Sequence, residues 1–276
     1  MSGHENSTKT LCYVERPDPH VFCKKPDPDV FFLKHLVLAL LVIPAIAQSG
    51  DESYLGLTRE EYKYSEDNMS LSGTMLGVKG SLPVRSGYGQ FLLDIEASQG
   101  YLDYSSKVSG QLDNIKSRSL VASGYIFDEI PVYLSAVRFG SGLKYAYFSN
   151  DGSKKLTTEN QYIYPRENKK LYIPFFVGIS FDNRLASHSF KLEYDYLIHG
   201  EQLSKLPGES IRNTQKKGRG IKLSYQVVRN KIGVEAFVYE SKTSRSEAAT
   251  CFDGKFLCSE PENSVLIIGA SIGRHF

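Results

Sequence analysis

The chain has no tryptophan, only four cysteines and three methionines in 276 residues, and almost no excess of either charge. A formal net charge of +2 does not indicate a nucleic-acid partner. A glycine-rich nucleotide-binding motif and a cluster of metal-ligating residues are also missing. The sequence therefore predicts no cofactor and no metal, and it identifies no catalytic residue.

The residues that are abundant favour strands over helices. The chain contains 18 tyrosines, 15 phenylalanines and 23 glycines. Aromatic and β-branched residues are enriched in strands, and glycine marks the breaks between them. This composition alone points to no class of soluble enzyme.

Residues 30–47 have the order of a secretory signal peptide. Lys34 is followed by an apolar run from Leu36 to Ile43 and then by Ala45-Ile46-Ala47, so we expect cleavage after Ala47. The apolar run is too short to cross a bilayer as a helix. Residues 1–29 are polar and rich in proline, unlike an export leader, and we expect them to be a non-native extension with translation starting at Val30.

Two cysteines remain after the predicted cleavage. Cys251 and Cys258 flank an Asp-Gly turn signal, and an exported protein meets an oxidising compartment. A two-thiol metal site is the alternative, but no histidine or third cysteine stands nearby to complete it. The sequence predicts a disulfide between Cys251 and Cys258.

The chain from residue 48 onward alternates with a period of two in about ten segments of roughly ten residues or more, a length that suits tilted membrane-crossing strands. The clearest segment is HSFKLEYDYLIHGEQL, which begins at His188. Its apolar set is Phe190, Leu192, Tyr194, Tyr196 and Ile198, and its polar set is Lys191, Glu193, Asp195, His199 and Glu201. We expect the polar set to face the inside of a barrel.

The connections between these segments alternate in length. Short ones such as DNRLAS and VRNK are followed by long polar ones such as SKLPGESIRNTQKK, with SSKVSGQLDN of intermediate length. Short turns on one side and long loops on the other are typical of outer-membrane barrels. Residues 48–276 are therefore predicted to form one closed antiparallel transmembrane β-barrel of about ten strands, within a range of roughly eight to twelve. A secreted β-sandwich is the alternative.

The C-terminal segment SVLIIGASIGRHF is amphipathic and ends in Phe276. It resembles the recognition signal of bacterial outer-membrane β-barrels, and phrases such as SGLKYAYFSND and LYIPFFVGISF resemble small, poorly characterised members of that group. The resemblance implies a location in the outer membrane of a Gram-negative bacterium and an assembly signal at Phe276 that the barrel assembly machinery reads. Arg274 departs from the pattern, and its side chain could snorkel to the headgroups. We expect the last strand to pair with the first, which removes both sheet edges.

Two enzyme families built on such barrels fit the sequence poorly. Omptin proteases need clustered aspartates and an Asp-His pair at the outer rim, whereas Asp195 and His199 stand four residues apart, about 13 Å along a strand. Barrel lipid A deacylases and phospholipases use a histidine and a serine two residues apart on one strand. Here His188 is directly followed by Ser189, so the two side chains point to opposite faces.

The polar row Lys191, Glu193, Asp195, His199 and Glu201 has two interpretations. It could form a ligand or proton path, or its acids could pair with basic residues on neighbouring inward faces, as in many small barrels. Lys222 on the next strand is the nearest candidate partner, with Arg138 and Lys144 further round. We expect Tyr172, Phe176, Phe237 and Tyr239 to add bulk inside, which disfavours a wide pore.

Function is therefore expected at the outer loops. The leading hypothesis is a surface-exposed binding or structural barrel, without enzyme activity, that contacts outer-membrane lipids, lipopolysaccharide and an extracellular ligand. The alternatives are a narrow channel and a membrane-embedded hydrolase with an unfamiliar site. Two groups of basic loop residues could meet anionic sugars or lipid phosphates. They are Lys154, Lys155, Arg166, Lys169 and Lys170 in one loop and Arg212, Lys216 and Lys217 in another.

Overall fold

The computed structural model describes residues 53–276 apart from 87–88, 153–154, 207, 252–253 and 255. These residues form thirteen strands, and none of them belongs to a helix with the length and apolar character needed to cross a bilayer. The wall strands are β1 (Tyr54–Glu66), β2 (Met69–Ser86), β3 (Gly89–Ser106), β4 (Gly110–Val132), β5 (Ser135–Asp151), β6 (Arg166–Asp182), β7 (Ser187–Leu206), β9 (Gly218–Arg229), β10 (Ile232–Thr243) and β13 (Asn263–His275). The short strands β8 (Glu209–Gln215), β11 (Ala249–Cys251) and β12 (Phe256–Cys258) lie in the connections.

The ten wall strands close into an antiparallel barrel. Each wall strand pairs with its neighbour in chain order, and β1 pairs with β13 from Tyr54 opposite His275 to Glu66 opposite Asn263. This pairing leaves neither strand as an open edge, as a sheet in lipid requires. The predicted closed ten-stranded barrel, with its last strand paired to its first, is confirmed.

The outer face of the barrel carries an apolar belt. The exposed aliphatic and aromatic side chains of this lipid-facing belt include Leu57, Leu76, Ile95, Ile126, Leu143, Phe175, Val177, Tyr194, Leu223, Val234, Ile268 and Ile272. On β6 the outward apolar positions run from Leu171 to Phe181. A closed antiparallel barrel with such a belt is the architecture of an outer-membrane protein, and this chain is one.

The two ends of the barrel differ in their connections. At one end, the turn end, the described connections between wall strands are two to four residues long, and Asn230 and Lys231 both have positive φ, as a two-residue hairpin of type I′ requires. At the other end, the loop end, residues 152–165 and 244–262 form long connections. By the convention of such barrels the turn end faces the periplasm and the loop end faces outside.

One expected loop is mostly strand. Residues 105–114, the predicted polar connection SSKVSGQLDN, extend β3 and β4 and leave only a three-residue turn at 107–109. The polar side chains there belong to strand residues that project beyond the membrane, where both faces of a strand can be hydrophilic. Polarity alone therefore overstated the length of this loop.

Candidate functional site in the barrel lumen

A buried ion-pair centre lies inside the barrel. The Lys144 Nζ on β5 donates to Glu193 Oε1 at 2.8 Å and to Asp195 Oδ2 at 2.7 Å, both on β7. The side chain of Glu193 is 2% exposed and that of Asp195 is fully buried. Tyr125 donates to Glu193 Oε2 at 2.9 Å, and the Lys191 ammonium lies 2.9 Å from the same oxygen. The arrangement neutralises two carboxylates with two lysines.

Other charges line the lumen, and not all of them face an opposite charge: the buried carboxyl of Glu60 accepts from Ser98 at 3.0 Å and lies beside the carboxyl of Glu96. Lys79 on β2 pairs with Glu235 on β10, and this pair lies on the side of the lumen opposite the ion-pair centre.

Lys222, predicted to be the nearest partner of the acidic row, lies with its ammonium 4.2 Å from the centroid of the Phe237 ring. The main neutralising charge is instead Lys144, which lies on β5, beyond β6 on the other side of β7.

The predicted polar row is interrupted by a bulge in β7. Leu171 pairs with His199 and Tyr172 pairs with Leu197, so Ile198 is an extra residue in the ladder. The extra residue reverses the facing of the later residues in β7, and His199 is exposed on the outer wall. The prediction that all five residues line the lumen is therefore wrong for His199 and Glu201, and only the first three share one inward face.

A cavity of about 600 Å³ surrounds the ion-pair centre. Its wall includes Lys144, Glu193 and Lys222 and continues to the turn-end residues Asp182 and Lys231. The cavity therefore occupies the part of the lumen nearest the turn end. Lys144 and Glu193 on its wall are paired, whereas the carboxyls of Glu60 and Glu96 on the same wall lie beside each other. The size of the cavity is that of a small-molecule pocket.

An apolar layer lies on the loop-end side of this cavity. Met75, Leu102 and Ile115 are fully buried, and Tyr62 packs beside them with its ring stacked on Phe148 at 4.8 Å between centroids. We call these five residues the apolar layer. Five neighbouring strands contribute to it, so it fills the half of the lumen lined by β1–β5.

A polar cluster fills the other half of the lumen just above the lipid-facing belt. The Lys170 Nζ donates to Thr243 Oγ1 at 2.7 Å and lies 3.5 Å from Asn263 Oδ1. Burial lowers the pKa of Lys170 to about 8. Gln202 and Gln215 are nearly inaccessible, and their side-chain amide atoms have no hydrogen-bond partner among the described residues.

Ion pairs tie the loops across the loop end. Arg166 at the start of β6 lies 3.1 Å from Glu66 on β1 and 3.9 Å from Glu260 in the last loop. Glu260 also accepts from Ser204 at 3.1 Å and from Asn213 at 3.4 Å. These contacts join β1, β6, β7 and β8 to the last loop at the loop end.

Most of the basic loop residues in the described chain are paired, while Lys217 is exposed. Besides Arg166 and the buried Lys170, the described ion pairs are Lys169 and Arg212 with Glu201, and Lys216 with Glu247. Lys155 donates to the carbonyl oxygen of Asn114, and Lys154 lies outside the described residues. Their role in binding anionic sugars or phosphates therefore has little structural support.

The last loop is braced by a disulfide between Cys251 and Cys258, with Cα atoms 6.0 Å apart. β11 and β12 pair within this loop, with Ala249 opposite Cys258. Leu257 near the hairpin tip is 73% exposed. The bond fixes a small hairpin that projects an apolar side chain from the loop end.

The C-terminal residue is attached to the barrel. The Phe276 N–H donates to the carbonyl oxygen of Ser53 at 2.9 Å, and the Arg274 guanidinium lies 5.8 Å from the Phe276 ring centroid.

Three predictions concern residues that the structure does not describe. They are the extension 1–29, the signal peptide 30–47 and the cleavage point after Ala47. No group of three or more potential metal-ligating side chains is present in the described part of the chain.

Comparisons with known proteins show similarity at the level of the fold. No protein-family model matches the sequence, and no curated protein is detectably similar to it in sequence. Among solved structures, the outer-membrane protease OmpT from Escherichia coli aligns at 8% identity over 82% of this chain and 95% of its own, with a TM-score of 0.46. Neisserial surface protein A aligns at 11% identity over 81% and 97%, with a TM-score of 0.35, and the β domain of the Bordetella autotransporter BrkA at 11% over 82% and 100%, with 0.39. At these identities no activity passes from those proteins to this one.

Proposed function

We propose that the protein is a surface-exposed binding barrel that acts through its loop end and has no catalytic role. The observation that carries this proposal is the occlusion of the lumen. The apolar layer fills one half, the polar cluster around Lys170 fills the other, and the Arg166 ion pairs hold the loops above both.

A diffusion channel has less support from this arrangement. A ten-stranded barrel has little interior space, and wide aqueous pores have more strands. The 600 Å³ cavity is reached from the turn end and stops below the apolar layer. The cavity is therefore a pocket open to one compartment rather than a path between two.

The binding surface is proposed to be the set of apolar side chains that the loops expose. Leu156 and Tyr162 in the 152–165 loop are 46% and 57% exposed, and Leu257 extends from the disulfide-braced hairpin. Exposed apolar groups held on braced loops favour a protein partner, because the nearby charges are already paired with each other.

Assembly and lipid contact form the remaining part of the proposal. The lipid-facing belt suits contact with outer-membrane lipids, including lipopolysaccharide on the outer leaflet. Phe276 is proposed as the assembly signal read by the barrel assembly machinery. Its backbone pairing to Ser53 supports a role in joining the last strand to the first.

Surface labelling of intact cells tests the proposed orientation. Tyr162→Cys places a thiol in an exposed loop, and Tyr133→Cys places one in an exposed turn at the other end. A membrane-impermeant maleimide should label Tyr162→Cys on intact cells and Tyr133→Cys only after the outer membrane is opened. The unsubstituted chain is the background control, because Cys251 and Cys258 are bonded to each other. Labelling of Tyr133→Cys alone on intact cells would show that the loop end does not face outside.

A further inference from the structure

The outer face of β1 carries charges where its neighbours carry apolar side chains. In the strand register Arg59 lies between Ala270 on β13 and Leu76 on β2. Glu61 lies between Ile268 on β13 and Thr74 on β2. Leu76 and Ile268 are 61% and 55% exposed, so both belong to the lipid-facing belt. An arginine in this position is costly on a surface that meets only lipid.

The two charges form an exposed pair whose geometry is partly fixed. The Arg59 Nη2 lies 3.1 Å from Glu61 Oε1, and the two side chains are 70% and 55% exposed. Thr74 donates to both oxygens of Glu61, at 2.9 and 3.1 Å. The guanidinium has five N–H donors, and this carboxylate occupies only a part of them. Further acceptors on an opposing surface could therefore bind Arg59.

The sign of these charges indicates what covers them. A lipid phosphate would meet the carboxylate of Glu61 between the cations of Arg59 and Lys63 on the same face of the strand. A second copy of this chain presents the same cation and anion, so Arg59 of each copy can meet Glu61 of the other, while Lys63, two residues nearer the loop end, lies beside this contact. Ala270 beside Arg59 is small, which lets two barrel walls approach closely.

We propose that this face of β1 is the contact surface of a homodimer. Two barrels inserted in the same direction are related by a two-fold axis along the membrane normal, and an interface of this kind is self-complementary. Their β1 strands, each tilted by about 35–45° to the normal, then cross. Where they cross between Arg59 and Glu61, each Arg59 lies below the partner's Glu61 and forms a neutral ring of four charges. Ala270 lies close to the axis just below the crossing.

Cysteine cross-linking in outer membranes tests the contact. Ala270→Cys should give a disulfide-linked dimer under mild oxidation, whereas the matched variant Ala122→Cys, on the outer face of β4, should not. In the Ala270→Cys background, Arg59→Glu should lower the cross-linked fraction by roughly fivefold or more, because two opposite-charge contacts become like-charge contacts. The double variant Arg59→Glu/Glu61→Arg should restore it.

A second charged pair controls for surface charge in general. Glu240 and Lys242 have the same spacing on β10 and lie 3.4 Å apart at 57% exposure each. Reversing them should leave cross-linking unchanged. Folding of every variant is checked by its unboiled mobility on a gel, and Arg59→Gln/Glu61→Gln replaces any reversal that does not fold.

Two results would overturn the homodimer. One is a cross-linked fraction for Ala270→Cys no higher than for Ala122→Cys, or one that charge reversal at Arg59 leaves unchanged. The other is that Arg59→Glu lowers the lipopolysaccharide that copurifies with the barrel while cross-linking stays constant, which would identify a lipid headgroup as the occupant.

Discussion

Lys144 and Asp195 lie on strands separated by β6, yet their Nζ and Oδ2 atoms are 2.7 Å apart inside the barrel. Replacing Lys144 by methionine would leave Asp195 and Glu193 buried without their main countercharge. We expect a loss of about 3–5 kcal/mol in the free energy of unfolding, because an unpaired buried charge keeps its desolvation penalty. Urea unfolding of the barrel refolded into lipid vesicles measures this loss.

Lys242→Met is the matched control for that experiment. It breaks the exposed pair with Glu240, and exposed pairs contribute on the order of 0–1 kcal/mol. The triple variant Lys144→Met/Glu193→Gln/Asp195→Asn removes all three charges and should recover part of the loss. Equal effects of Lys144→Met and Lys242→Met would contradict a stabilising role of the buried ion-pair centre.

Lys170 makes the stability of the barrel depend on pH. Its pKa is about 8 in the folded chain because of burial, against about 10.4 in an unfolded chain. Between these values the unfolded chain binds more protons, so the free energy of unfolding should rise with pH by about 3 kcal/mol in total. Below pH 8 the full penalty of a buried ammonium is present.

Urea unfolding at pH 7 and at pH 10.5 measures this effect, with Lys170→Met compared with the unsubstituted chain. The variant should be the more stable at pH 7 and should lack the rise contributed by Lys170. Lys217→Met, at an exposed position, should follow the unsubstituted chain. A rise of the same size in Lys170→Met would show that another group causes it.

Phe276 is expected to matter for assembly rather than for the stability of the finished barrel. Deleting it should reduce the heat-modifiable form in the outer-membrane fraction several-fold, while Phe276→Tyr, which keeps an aromatic ring, should assemble normally. The deleted chain, unfolded and refolded in detergent, should still reach the barrel state. Normal insertion of the deleted chain in cells would refute an assembly signal at this residue.

The period-two alternation was sufficient to predict the closed barrel, because the inside and the outside of a barrel wall differ in chemistry at every second residue. The bulge at Ile198 was not predictable in the same way. Ile198 continues the apolar set without a break, and its extra place in the ladder depends on the β6–β7 register. This single residue moved His199 and Glu201 out of the lumen.

The choice of Lys144 over Lys222 also depended on three-dimensional geometry. Sequence neighbours suggest pairing with the adjacent strand, and Lys222 does lie opposite Glu193 in the register. Lys144 on β5 reaches over β6 to Asp195 on β7. The β6 residue paired with Asp195 is Pro174, which carries no charge that could compete with Lys144.

One glycine has a structural role that its sequence position did not indicate. A Cβ at Gly142 on β5 would lie 1.9 Å from the carbonyl oxygen of Gly124, so this glycine marks a close approach of two strands rather than a break between them.

Single-channel recording in planar bilayers tests most directly whether the protein acts at its loop end or as a channel through the barrel lumen. The refolded full chain should insert and stay silent, while a variant with Met75, Leu102 and Ile115 all replaced by glycine should conduct, because three of the five side chains of the apolar layer are removed. Conductance from the variant alone would agree with a closed barrel that binds at its loop end. Discrete conductance steps from the unsubstituted chain, with the same ion dependence in its native membrane, would contradict the account and identify a channel.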